Sequence, residues 1–291
     1  MFTKLTDLAK AFIFYGLAFA LVLTASVLYP VLGESVIIVA MFSPLISVLL
    51  MLLVVTPDGR SKAGWASLGL HRLGLRGWVA AVLVPLLVLG GSYSLVWGSG
   101  LADFTVPPDL KDVSLLLVPL IAIWAITKHV LLTGALGEEL GWRGYLLPRL
   151  TAALGSWWAL PLTGLLWGLW HLPVIFLTPL YHAEGNLLII VPLFLTGTTI
   201  FGVIEGYLRL TTNSVWPAAI LHSAGNVFWY LFRTATVASS PLITEYLAGE
   251  SGILPLFGYA LVVVAIFLIS RHRLDNPGAQ LEIVVEPGVG V

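Results

Sequence analysis

Eight long apolar segments dominate this sequence and limit what it can fold into. They span residues 11–32, 36–55, 78–96, 114–136, 158–180, 187–208, 214–232 and 253–269. A helix that crosses a bilayer needs about 20 mostly apolar residues, so each segment is close to that length. In lipid every backbone polar group needs an internal partner, and a helix supplies these partners itself. The segments therefore predict an all-α, multi-pass protein of the cell membrane with about eight transmembrane helices.

The composition agrees with a membrane protein and excludes several other classes. The chain is 58% hydrophobic and only 10% charged, whereas a soluble domain is about 25% charged. The net charge of −1 gives no electrostatic basis for binding nucleic acid. The chain has no cysteine, so disulfides, thiol nucleophiles and cysteine-ligated zinc are excluded. We expect one transmembrane domain over residues 1–273 and a mobile cytoplasmic tail over 274–291, which is rich in Pro, Gly and acidic residues.

The basic residues fall on alternate connections between the segments. If the N-terminus is cytoplasmic, the outer connections hold only Lys111 and Arg233, and Lys128 lies within the fourth segment. The cytoplasmic connections then hold Lys4, Lys10, Arg60, Lys62, Arg72, Arg76, Arg143, Arg149, Arg209, Arg271 and Arg273. Lys and Arg concentrate on the cytoplasmic side of membrane proteins. Both termini are therefore predicted to be cytoplasmic.

Two adjacent carboxylates and an arginine stand out in the stretch GEELGWRGYLLP, which contains Glu138, Glu139 and Arg143. In a helix, Glu139 and Arg143 are four residues apart and face each other as an ion pair. Glu138 points about 100° away, so it is free to accept a proton as a general base. The alternative is a charge cluster at the cytoplasmic end of a helix that reaches into the lipid headgroups.

Two later stretches place polar groups within apolar segments. His171 lies in WGLWHLP, and His222 and Asn226 lie in LHSAGN, where their spacing of four puts them on one helix face. Any one of these side chains could serve as a hydrogen bond between helices. Ionisable groups on three different helices more often mark a site or a pathway. We therefore expect the three stretches to form one site.

The residue types limit the chemistry but leave two versions open. There is no HExxH zinc motif and no GxSxG motif in the sequence. A carboxylate, two imidazoles and a carboxamide can activate a water molecule and hold an oxyanion. Glu138, His171 and His222 could instead hold a zinc ion. The metal-free version is favoured, because Asn226 offers a second donor beside His222 and no obvious carboxylate orients either histidine as a zinc ligand.

The three stretches together resemble the family of CAAX prenyl endopeptidases and bacteriocin-processing enzymes (CPBP). That family's pattern is EExxxR, then FxxxH, then HxxxN or HxxxB. Here the pattern begins at Glu138, Trp167 replaces the frequent Phe four residues before His171, and His222 precedes Asn226. The similarity covers about residues 131–228, and the flanking segments match only as membrane helices.

The resemblance implies a fold and a set of roles. It implies eight helices around a conical cavity open to the cytosol. It also implies that Glu138 and His171 activate the water and that His222 and Asn226 stabilise the oxyanion. Glu139 and Arg143 would hold these groups in place.

We therefore expect an intramembrane endopeptidase. Its partners would be the lipid bilayer and a peptide or protein substrate, such as a prenylated C-terminus, a leader peptide or a membrane-embedded segment. One alternative is a non-catalytic immunity or partner-binding protein that retains the motif. Another is a transporter with a proton relay through Glu138, His171 and His222, but such proteins often have repeated halves, which this sequence lacks.

Overall fold

Helices make up about four fifths of the described chain. The computed structural model describes residues 5–132, 134–181 and 185–274, with the backbone alone for 270–274. The expected mobile tail lies outside the described residues from position 275 onward. The main helices are α1 (Asp7–Val27), α2 (Ser35–Leu50), α3 (Trp78–Gly98), α4 (Val118–Leu132), α5 (Ala135–Glu139), α6 (Leu147–Leu154), α7 (Ser156–Leu177), α8 (Leu187–Thr212), α9 (Trp216–Thr234) and α10 (Ile253–Leu274).

Shorter elements extend or connect these helices. The π-helical segments are Met51–Val55, Leu140–Leu146 and Thr244–Ala248, and the short α-helices are Tyr29–Leu32, Lys62–Ala66 and Pro241–Ile243. The 3-10 turns are Asp58–Arg60, Leu75–Gly77, Pro108–Leu110 and Leu115–Leu117. Two strands, β1 (Ala102–Phe104) and β2 (Thr236–Ala238), pair antiparallel with Ala102 opposite Ala238.

The lengths and hydropathies of the helices confirm a multi-pass membrane protein. Within the described residues, seven helical segments are long and apolar enough to cross a membrane. They are Asp7–Val27, Ser35–Val55, Leu75–Gly98, Leu115–Leu132, Ser156–Leu177, Leu187–Thr212 and Pro241–Ile269. The remaining expected span is α9, which has 19 residues but carries His222, Asn226 and Arg233. This helix packs against α3, α4 and α8, so its polar side chains meet protein.

One end of the bundle, which we call the basic face, gathers the positively charged connections. Lys10 and Arg149 both contact Asp58, at 2.8 and 3.4 Å. Burial alone would raise the pKa of Asp58, but the hydrogen bond and charge of Lys10 and the charge of Arg149 lower it. Arg209 donates to the backbone carbonyl of Ser67 at 2.8 Å. The connection 56–77 thus lies beside the start of α1 and the α8–α9 turn, as the alternation of basic connections predicts.

The opposite end, which we call the strand face, carries β1, β2 and two loops. Tyr181 donates a hydrogen bond to Glu250 at 2.6 Å, and the hydroxyl of Tyr246 accepts one from the Asn186 N–H at 2.7 Å. These contacts join the loop after α7 to the segment before α10. Over its described residues the chain therefore crosses between the two faces eight times, and both ends of this part lie at the basic face.

The fourth crossing is interrupted in the middle. Helix α4 ends at Leu132, and Gly134 adopts φ +103°, a left-handed conformation that favours glycine. A Cβ at Gly134 would lie 3.0 Å from the Met41 Cβ, so the tight space also favours glycine. The chain then continues through α5 and the π-helical segment to the basic face. Glu138 therefore lies inside the bundle, whereas a fourth span ending at residue 136 placed it at the cytoplasmic edge.

Glycines bring α7 and α8 into close contact behind the motif residues. Gly164 and Gly168 are four apart on α7, as are Gly202 and Gly206 on α8. A Cβ at Gly202 would lie 2.5 Å from the Gly164 Cα and 3.0 Å from Arg143 Nη2. Small residues at this spacing let membrane helices approach closely. The close approach leaves just enough room for the Arg143 guanidinium.

Candidate active site

The three sequence stretches converge on one cavity of about 530 Å³. Glu138, His171, His222 and Asn226 line it, together with apolar walls from α2, α7 and α9. Ligand sites usually have about 300–1,000 Å³ and a few polar groups in an apolar lining. The structure brings the three stretches together at this cavity, with Glu139 and Arg143 lying behind its wall, and the roles of these residues stay predictions.

Arg143 is the centre of a buried charge cluster. Its Nη1 donates to Glu139 Oε1 at 2.7 Å, so the predicted four-residue ion pair is present. Its Nη2 forms a second ion pair with Glu205 of α8, and all three side chains are fully buried. The guanidinium also lies 4.8 Å from the Trp167 ring centroid. The surface alternative, in which these charges reach into headgroups, does not describe this arrangement.

Glu205 was missed by reasoning from the sequence. It is the one acidic residue in the apolar segment 187–208, and a carboxylate at membrane depth is itself a sign of a site or a partner. Its position gives Arg143 two carboxylates in place of the predicted one.

Glu139 also orients His222, which corrects one sequence-based argument. His222 Nδ1 lies 3.0 Å from Glu139 Oε1. Because a carboxylate only accepts, His222 Nδ1 carries the hydrogen in this contact. The expectation that no carboxylate orients either histidine was wrong, since it assigned Glu139 to Arg143 alone. Glu139 Oε1 accepts a hydrogen bond from both Arg143 and His222.

Glu138 and His171 are held by the same tryptophan. The Trp167 indole N–H donates to Glu138 Oε2 at 3.1 Å, and the Trp167 carbonyl lies 2.9 Å from His171 Nδ1. A carbonyl only accepts, so Nδ1 of His171 carries the hydrogen and Nε2 is the acceptor atom of the neutral ring. Trp167 is thus more than an aromatic wall, because the Phe frequent at this position could not donate to Glu138.

A third histidine, His129, lines the same cavity from α4. Its Nε2 lies 3.4 Å from Asn226 Nδ2, and its Nδ1 lies 3.2 Å from Ser223 Oγ. Reasoning from the sequence missed His129 because it precedes the recognised motif by nine residues. The available signal was its position within an apolar segment, as for Glu205.

The buried charge cluster does not fit a metal ion. Among the described residues, Glu139, Glu205 and His222 have possible ligand atoms within 4.8 Å of one another. Both carboxylates already contact the Arg143 guanidinium, and a divalent cation there would adjoin another positive charge. The zinc version predicted from sequence used a different set, Glu138, His171 and His222, and it stays a prediction.

The position of the cavity bears on two expectations, that the termini are cytoplasmic and that the cavity opens to the cytosol. Its lining includes Tyr181 and Glu250 from the strand face, and Glu138 and His222 lie deeper, near the middle of the bundle. The cavity is therefore reached from the strand face or from the side of the bundle. If the cavity opens at the strand face, cytoplasmic termini exclude an opening to the cytosol, because both ends of the described chain lie at the basic face. The exposed Lys128 on α4 also borders the cavity.

Comparisons with known proteins find similarity to one family of membrane proteases. Residues 115–228 match the family described as "Type II CAAX prenyl endopeptidase Rce1-like". A stretch of 55 residues is 44% identical to a protein of Methanococcus maripaludis named "CAAX prenyl protease 2". That stretch covers 19% of this chain and 20% of the relative, so the similarity spans about a fifth of the relative's length. The family match includes the fourth crossing and all six motif residues.

Proposed function

We propose that the chain is an intramembrane endopeptidase of the CPBP family that uses Glu138 as its base, and the family match over residues 115–228 supports this proposal. The observation that carries the proposal is the convergence of Glu138, His171, His222 and Asn226 on one cavity within a membrane bundle. Paired acid–base groups and hydrogen-bond donors around one space are what peptide hydrolysis requires.

In the proposed mechanism, Glu138 removes a proton from a water molecule while its oxygen attacks the peptide carbonyl carbon. The Trp167 indole fixes one oxygen of Glu138. The unprotonated Nε2 of His171 accepts the second hydrogen bond of the water, which orients it for attack. When the C–N bond breaks, Glu138 passes the proton to the leaving amine.

His222 and Asn226 supply the oxyanion hole. The carbonyl oxygen becomes negative during attack, and donors fixed in advance lower that barrier. His222 donates from Nε2 when its ring is protonated, and Glu139 then provides the counter-charge 3.0 Å from Nδ1. Arg143 and Glu205 hold Glu139 in position. Glu139, Arg143 and Glu205 therefore support the four groups that face the cavity.

A peptide that lies partly in lipid is the substrate class we propose. The apolar walls formed by Ile37, Met41 and Val174 suit an apolar side chain or a prenyl group. The side of the membrane on which the strand face lies decides which kind of peptide can reach the cavity. A strand face in the cytosol suits a prenylated C-terminus, and a strand face outside suits a leader peptide or an exported segment.

The purified protein in detergent, offered prenylated and unprenylated C-terminal peptides and a leader-type peptide, tests the proposal. We expect cleavage of at least one peptide and a loss of about 10²–10⁴-fold in Glu138→Gln, because that change removes only the base. Glu34→Gln is the matched control, since Glu34 is exposed and does not line the cavity. Normal turnover by Glu138→Gln would refute the proposal. Binding of a peptide without cleavage by the unmodified protein would favour the non-catalytic alternative.

A further inference from the structure

His129 connects two residues on the polar face of α9. Its ring lies between Ser223 Oγ and Asn226 Nδ2, at 3.2 and 3.4 Å. The ring centroid is 6.3 Å from that of His222, and the side chain borders the proposed catalytic cavity. The helix α4 thus reaches the oxyanion side of the site through one side chain.

The chemistry of its two partners fixes the proton on the His129 ring. An amide nitrogen cannot accept a hydrogen bond, so Asn226 Nδ2 donates and His129 Nε2 accepts. A neutral imidazole then carries its hydrogen on Nδ1, which donates to Ser223 Oγ. One amide hydrogen of Asn226 is engaged by His129, and the second is left to donate elsewhere.

We propose that His129 is a positioning residue that holds the Asn226 carboxamide with its second N–H directed at the developing oxyanion. The inference rests on the proposed function and extends it. An oxyanion-hole donor contributes because its orientation is fixed before the reaction. An amide that lacks the His129 acceptor can rotate by half a turn and present its oxygen, which repels an oxyanion.

Two conservative variants separate this role from a packing role. Gln at position 129 places a carbonyl oxygen near the position of Nε2 and can still accept from Asn226, whereas Asn reaches only as far as Nδ1. We expect His129→Gln to keep kcat within about threefold. His129→Asn and His129→Phe should lower kcat by about 10–100-fold with little change in KM, as expected when an interaction acts only in the transition state. His71→Gln on the exposed basic-face connection is the matched control.

A double variant tests whether His129 acts through Asn226. If it does, His129→Phe combined with Asn226→Ala should be no slower than Asn226→Ala alone, because the positioned group is already gone. Losses that multiply in the double variant, or an equal loss in His129→Gln and His129→Asn, would overturn the inference.

The protonation of the His129 ring can be measured whether or not the protein cleaves a peptide, so it tests the positioning role separately from the proposed function. The ¹⁵N shifts of the histidine ring nitrogens report which nitrogen carries hydrogen, and the chain has six histidines to assign. We expect His129 to be neutral with hydrogen on Nδ1, and its shifts to change in Asn226→Ala. Hydrogen on Nε2 in the unmodified protein would refute the contact whether or not any peptide is cleaved. The expected tautomer in a protein that cleaves nothing would refute the proposed function and retain the contact.

Discussion

Removing Arg143 should destabilise the whole bundle as well as the site. The Arg143→Ala change leaves Glu139 and Glu205 as two fully buried carboxylates without their shared cation. Breaking one buried ion pair by removing a partner costs about 3–5 kcal/mol. A typical folded protein is stable by about 5–15 kcal/mol, so the loss is a large part of the total. We place the expected destabilisation at about 3–5 kcal/mol, because His222 still contacts Glu139.

Thermal unfolding in detergent, followed by tryptophan fluorescence, measures this effect. Trp167 lies against the guanidinium and is one of 11 tryptophans. Adding Glu205→Gln to Arg143→Ala removes one of the two orphaned charges and should restore part of the lost stability. Glu34→Gln added to Arg143→Ala is the matched control, because it neutralises an exposed carboxylate. An Arg143→Ala protein as stable as the parent, or one made less stable by Glu205→Gln, would refute the description of a buried charge cluster.

Three further predictions concern topology, the oxyanion and the substrate. In the cysteine-free chain, single cysteines at positions 58 and 109 should react with an impermeant reagent from opposite sides, position 58 from the cytoplasm. Labelling from one side would contradict the topology. Asn226→Ala should lower kcat by about 10²–10³-fold with little change in KM. That loss should persist whatever metal is supplied, whereas activity removed by a chelator and restored by zinc would favour the zinc version. Lys128→Gln should lower kcat/KM for peptides with a free C-terminal carboxylate more than for their amides, because its ammonium borders the cavity. Equal losses for both would show that Lys128 does not read the carboxylate.

The membrane class and the six motif residues could be predicted because each depends on local sequence. Span lengths follow from runs of apolar residues, and Glu139 with Arg143 follows from helical spacing. Glu205 and His129 lie outside the recognised motifs, and their roles depend on which helices pack together. The double use of Glu139 by Arg143 and His222 likewise arises only when α5 and α9 are brought into contact. Sequence spacing alone cannot state such contacts.

The depth of Glu138 could not be decided from the sequence for a related reason. A hydropathy segment ignores backbone breaks, so it ended the fourth span where the apolar run ended. Gly134 restarts the helix within the bundle, and its left-handed conformation depends on the space beside Met41. Glycine at this position permits a break, but only packing makes the break occur.

The π-helical segment Leu140–Leu146 sets the rotational phase between the two ends of one helical run. Glu138 and Arg149 are eleven residues apart, so a regular α-helix would put them within about 20° of the same direction. A π-helical turn takes up an extra residue and rotates everything after it by about 100°. Arg149 accordingly contacts Asp58 and the Tyr145 carbonyl at the basic face, while Glu138 faces the cavity. Deleting one residue from this segment would restore the regular phase. The helix could then direct Glu138 into the cavity or Arg149 toward Asp58, but not both.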